Sequence, residues 1–208
     1  MGETSYFQPL TSEDKVTVII YRAGIFLSTL VITLSAFLAV EGIRSPDLRS
    51  LPFIASGLAA DIVILSLYFS IGLSVFFIHL YIGKFHRLLK RIYYAAMVCL
   101  AAMFMLGSGS PAASLFSGTP YGAFLLIPLS CCLGFIAAKE AFCFRLFEGY
   151  LLGMIMPLYL VAYGIGVLDP ARAAFGLAGI AALLLIFMFR KVFQPLHFDI
   201  GDKSAYQP

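Results

Sequence analysis

Charge is what this sequence has least of. Asp, Glu, Lys and Arg make up 12% of its 208 residues and hydrophobic residues 61%, with a mean hydropathy of +0.96. A soluble domain carries roughly twice that share of charge, so an ordinary soluble fold is excluded and an integral membrane protein is implied. Cysteine is sparse and unpatterned. Cys99, Cys131, Cys132 and Cys143 show neither CxxC spacing nor histidines at zinc-finger intervals; each reads as a small buried hydrophobe, and no metal site is expected. There are three histidines but no HExxH, phosphate-binding glycine loop or nucleophile motif, so nothing commits the chain to being an enzyme or names a cofactor. The net charge of +3 is small and sits at segment ends, which argues against nucleic acid. The opening MGETSYFQPLTSEDK is polar and acidic where a leader would be basic and then apolar. Tyr6 stands where myristoylation needs Ser or Thr, so neither a cleaved leader nor an acyl anchor is expected.

What charge there is falls in informative places. Lys84, His86, Arg87, Lys90 and Arg91 crowd into residues 83–91 with no acidic neighbour. Lys and Arg beside hydrocarbon stay on the cytoplasmic side, so this stretch is expected there, facing lipid phosphates. Around it six apolar spans are read at about 16–40, 61–82, 92–106, 120–138, 149–168 and 173–189. The expected fold is all-α and polytopic. Six transmembrane helices form a single domain over 16–191, between a polar N-terminal segment (1–15) and a polar, solvated tail (192–208), with both termini cytoplasmic. This threading puts 11 of the 14 Lys and Arg inside; only Arg44, Arg49 and Arg172 fall outside.

Local features refine the picture. Thr11 with Asp14 reads as a capping box opening the first helix. Arg22, one turn inside the first span, is expected to snorkel to the phosphate level. The apolar run 51–82 is longer than one crossing, so residues 52–60 are placed outside the hydrocarbon and Asp61 at the outer boundary. Ser66, Ser70 and Ser74 form a small polar stripe for close helix approach, while Asp61, Tyr68, Gly72 and His79 share another face. Pro128 is expected to kink the fourth span, and Gly149 with Gly153 makes a GxxxG packing pair. KEAFCFRLFEGY (139–150) interleaves Lys139, Glu140, Arg145 and Glu148 with Phe142, Phe144 and Phe147. It is read as an interfacial amphipathic helix or a cap on the bundle, with Arg145 and Glu148 able to pair.

TSEDKVTVIIYRAG (11–24), IHLYIGKFHRLLK (78–90) and KEAFCFRLFEGYLL (139–152) together resemble a family of uncharacterised bacterial integral membrane proteins, a domain of unknown function frequent in photosynthetic bacteria. The resemblance implies a multi-span protein of the bacterial inner (cytoplasmic) membrane, including a photosynthetic one, and brings no catalytic residues to carry over.

Three functions fit these observations. The first is an accessory or assembly factor for a larger membrane complex, with the bilayer and other membrane proteins as partners. The second is a small-solute or proton-coupled transporter using Asp61 and His79. The third is a membrane redox or metal-binding enzyme using His79, His86 and the 139–148 segment. The candidate functional site is the cytoplasmic rim where His79, His86 and Arg87 meet Lys139, Glu140, Cys143, Arg145 and Glu148. Arg22 and Asp61 are the polar residues within the membrane. The threading is directly testable: a fluorescent protein fused after Arg91 should be bright and alkaline phosphatase fused after Arg49 active, and the reverse pattern would contradict it.

Overall fold

A computed structural model describes residues 11–45, 57–80, 82–112 and 120–200. The first ten residues, Arg49, the expected extra-membrane turns at 52–56, the centre of the Gly/Ser/Pro connection at 113–119 and Lys203 lie outside the described residues. The described residues are all-α, and among them are six helices long and apolar enough to cross a membrane. They are α1 (Ser12–Arg44), α2 (Leu58–Phe77), α3 (Gly83–Leu106), α4 (Ile127–Phe144), α5 (Phe147–Gly164) and α6 (Pro170–Val192). A 3-10 helix, Pro120–Leu126, leads into α4, and a single turn, α7 (His197–Ile200), follows α6.

The helix ends follow from local chemistry. Thr11 and Asp14 form the expected reciprocal capping box on α1, satisfying two otherwise free backbone donors. Asp169 accepts from the Arg172 backbone N–H and Pro170 occupies the first turn, which starts α6 three residues earlier than hydropathy alone implies. Pro128 stands at the start of α4 and not inside a longer helix. The chain changes from 3-10 to α there, so no mid-span kink results.

The helices form a ring in which α1 packs against both α2 and α6, α4 packs against α5, and α3 lies mainly on α4. Hydrophobic exclusion cannot drive helices together in lipid, so small residues and hydroxyls set the approach. A Cβ on Gly24 of α1 would fall within 2.5 Å of the Ser70 carbonyl oxygen. Ser74 donates to the Tyr21 carbonyl oxygen at 3.1 Å. The serine stripe is thus the α1–α2 seam. Tyr68 and Gly72, on the other face, receive Tyr93 of α3, whose hydroxyl donates to the Tyr68 carbonyl oxygen at 2.9 Å. The GxxxG pair closes α4 onto α5, with Gly153 3.1 Å from where a Cβ of Gly134 would sit and Gly149 against the Ala137 backbone.

Several expectations are corrected. Residues 83–91 are not a connection between two spans but the first turns of α3, and α2 ends earlier, at Phe77. Segment 139–150 holds no separate interfacial helix: α4 continues through Lys139 and Glu140 to Phe144, Arg145 takes the left-handed conformation (φ 55°), and α5 starts two residues later. Charge does not end the helix because that charge is neutralised inside the bundle. The tail is not solvated as far as Ile200, since Asp199 and Ile200 of α7 are buried.

The α4–α5 seam leaves no room for a side chain. Gly149→Val should therefore lower stability by about 1–3 kcal/mol through overpacking, measured as a loss of thermal midpoint in detergent, while Gly179→Ala, where a Cβ meets open space, should leave it unchanged.

Candidate functional site

Because the helices alternate in direction, the start of α1, the end of α2, the start of α3, the end of α4, the start of α5 and the end of α6 gather at one end of the bundle. That end carries a buried chain of alternating charge. Glu140 of α4, fully buried, lies at its centre. Its Oε1 accepts from the Tyr21 hydroxyl at 2.6 Å and from Lys139 Nζ at 2.7 Å. Lys191 Nζ of α6, also fully buried, is 2.6 Å from Oε2, an ion pair by distance though not aligned as a hydrogen bond. Lys191 then donates to Asp199 Oδ1 of α7 and lies 4.2 Å from the Phe144 ring centroid. Asp199 Oδ2 accepts from Arg22 Nε of α1 at 2.7 Å.

Arg22 is the anchor for the returning tail. Its Nη1 donates to the carbonyl oxygens of Val192 (2.9 Å) and Gln194, and its Nη2 to that of Pro195 at 3.1 Å. The expected snorkelling is therefore wrong, for Arg22 is 6% exposed and turned inward. The reason lies 177 residues away. Pro195 turns the chain so that Phe198 packs toward Phe144 and Asp199 faces the guanidinium. The chain Lys139–Glu140–Lys191–Asp199–Arg22 holds three cations and two anions, a surplus of one positive charge. Arg190 and Glu148 form a second, rim-level pair in which the one nitrogen Nη1 donates to both carboxylate oxygens, at 2.9 and 2.8 Å. Glu148 thus binds Arg190 and not Arg145, whose left-handed cap leaves it exposed.

The remaining predicted residues divide between this end and the other. His79 sits just past the end of α2, its Nε2 3.2 Å from Thr17 Oγ1 and its Nδ1 3.3 Å from the Phe77 carbonyl oxygen. Burial, reinforced by nearby Lys139, holds its pKa below the ordinary histidine value. His79 and His86 line one groove of about 330 Å³ with Thr17 and Phe76–Leu80. Arg87 and Cys143 are exposed. Asp61 lies at the opposite end, where its Oδ1 accepts from Ser110 Oγ at 2.9 Å and the Ala112 backbone N–H at 2.8 Å. It staples the α3–α4 connection and is remote from the ionic chain. Among the described residues no three His, Cys, Asp or Glu side chains converge as a metal site.

Tyr21, Arg190, Lys191 and Asp199 escaped the sequence reading. Arg190 and Lys191 directly follow the span read at 173–189, where a basic pair has the commonplace role of ending a transmembrane segment. The signal for the return was nevertheless present, as Phe193, Leu196, Phe198 and Ile200 around Pro195 make the tail apolar at intervals.

Removing one member of a buried ion pair leaves its partner's charge uncompensated. Glu140→Gln should cost about 3–5 kcal/mol, read as unfolding free energy in detergent. Asp61→Asn, which keeps an accepting oxygen, should cost less than about 1 kcal/mol. Equal losses at the two positions would contradict this arrangement.

Comparison with known proteins agrees with a membrane-spanning chain. Residues 73–207 match the family described as "Uncharacterized integral membrane protein (DUF2301)". An uncharacterized protein of Haemophilus influenzae (strain Rd) is 30% identical over 208 residues, covering 100% of this chain and 99% of that protein. No solved structure matches. Neither match carries a tie to photosynthetic bacteria. The family match contains every member of the ionic chain except those on α1, and the relative spans those as well. The chain therefore belongs to the DUF2301 family of integral membrane proteins.

Proposed function

We propose that this protein is an accessory or assembly factor of a bacterial inner membrane, a compact bundle that holds or helps to build a larger membrane complex from its cytoplasmic end. The observation that carries the reading is how charge is distributed between the inside and the rim. Among the described residues the buried carboxylates Glu140, Glu148 and Asp199 are each paired with a cation. Midway along the six helices the described residues contribute hydroxyls such as Ser28, Thr29 and Ser70 but no carboxylate, amine or imidazole. A transporter would need such groups there.

What the same end offers outward is different. Phe142 is 80%, Phe147 74% and Phe193 77% exposed, and they lie at the same end of the bundle as exposed Arg145 and half-exposed Arg190. Large aromatics and arginine are the residues that dominate protein contacts. The basic-residue bias still supports a cytoplasmic location once Arg22, Lys139 and Lys191 are set aside as internal, because Lys15, Lys84, Arg87 and Arg91 stay exposed at this end. The far end has the exposed pair Arg172 and Asp169.

Purification from native membranes after mild cross-linking should recover a membrane protein in stoichiometric amount. That partner should be lost on Phe142→Ala/Phe147→Ala with the abundance of the chain unchanged. Recovery of lipid alone would contradict the proposal.

A further inference from the structure

Much of the positive charge at the ionic end of the bundle is neutralised internally. Arg22, Lys139 and Lys191 are bound to Glu140 and Asp199, and Arg190 to Glu148. The first turns of α3 are different. Lys84, Arg87 and Arg91 are exposed and, among the described residues, none of them makes an ion pair or a hydrogen bond. Spaced i, i+3 and i+7, they stand on one face of the helix over ~10 Å of its length. No acidic residue occurs in α3 to offset them. Lys90, half-buried, turns aside over the Phe76 ring.

Along the same face the cations give way to hydrocarbon. At about 100° per residue, Ala95, Val98 and Met105 lie within about 60° of the line through Lys84 and Arg91. All three are exposed, Val98 at 70% and Met105 at 83%. The strip from Ala95 to Met105 is ~15 Å long, half the thickness of a bilayer's hydrocarbon core. A face that is cationic for two turns and apolar for the next three matches an amphiphile with an anionic head and a long chain. An acidic protein would match the cations alone. The comparable face of α5, with Leu151, Met154 and Leu158 exposed, has no Lys or Arg on its helix.

We propose that this face of α3 is a binding site for an anionic phospholipid, its phosphate held by Lys84, Arg87 and Arg91 and one acyl chain lying along Ala95, Val98 and Met105. The two guanidinium groups offer forked donors that suit phosphate oxygens, and Lys84 adds a point charge. The site lies on a different helix from Phe142 and Phe147, so it stands or falls independently of the assembly role.

The chain contains no tryptophan, so Val98→Trp puts a single fluorophore on this face and Leu158→Trp puts one on α5 as a control. In phosphatidylcholine vesicles, quenching by bromine-labelled phosphatidylglycerol and by equally labelled phosphatidylcholine reads the relative affinity of each lipid for the face. Val98→Trp should prefer phosphatidylglycerol by about fivefold or more, the worth of one cation beside an anionic lipid surface. Leu158→Trp should show no preference. The preference should disappear when Lys84→Gln, Arg87→Gln and Arg91→Gln are added to Val98→Trp, and persist with Lys84→Arg, Arg87→Lys and Arg91→Lys instead. Should the glutamine variant not fold, the salt dependence of Val98→Trp decides alone, because the preference must fall as salt rises. Equal affinity for the two lipids, a preference indifferent to salt or to the glutamine changes, or the same preference at Leu158→Trp would overturn the site. Loss of the preference on adding excess glycerol 3-phosphate would also overturn it, assigning the cations to a free anion. So would an acidic protein that co-purifies through the three cations while the two lipids bind alike.

Discussion

The structure depends on a buried carboxylate between two lysines. Glu140 sits in a medium where an unpaired charge is prohibitively costly, and it is held by Lys139, Lys191 and the Tyr21 hydroxyl. Replacing such a cluster with oil-like residues is often neutral or stabilising, so its role is better described as register than as net stability. In lipid the apolar faces of α1, α4 and α6 have little to distinguish one rotation from another. A chain of charges that closes only when Tyr21, Arg22, Glu140, Lys191 and Asp199 are all in place removes that freedom.

The two ends of the bundle solve the same problem differently. At the far end, charge stays at helix termini, where Asp169 caps α6 and Asp61 receives the Ser110 and Ala112 donors. Its ion pairs, Glu41 with Arg44 and Asp169 with Arg172, are exposed, and such pairs contribute little. At the near end charge is drawn inward and closed over by the chain's own tail.

Much of the architecture was legible because it rests on local or periodic signals. The capping box at Thr11, the serine stripe and the GxxxG pair each encode their contact within one turn of helix. The ionic chain was not legible, since its members are spread from Tyr21 to Asp199 and each has a commonplace local reading. Arg22 looks like a snorkelling residue, Lys191 like a stop signal, and Asp199 like part of a solvated tail. Segment 139–148 was singled out correctly as charge-rich but misplaced at the interface, because hydropathy treats charge as exposed and cannot see a partner on another helix.

The central claim is that the tail folds back to complete a charge network anchored on Arg22, and a double-mutant cycle tests it most directly. Arg22→Met and Asp199→Leu would be compared singly and together by denaturant unfolding in detergent. The two should be strongly coupled, each single change being destabilising and the pair recovering much of the loss, with an interaction energy toward the upper end of about 0.5–3 kcal/mol. Additive effects, or an Asp199→Leu variant as stable as the parent, would contradict a tail that is part of the fold.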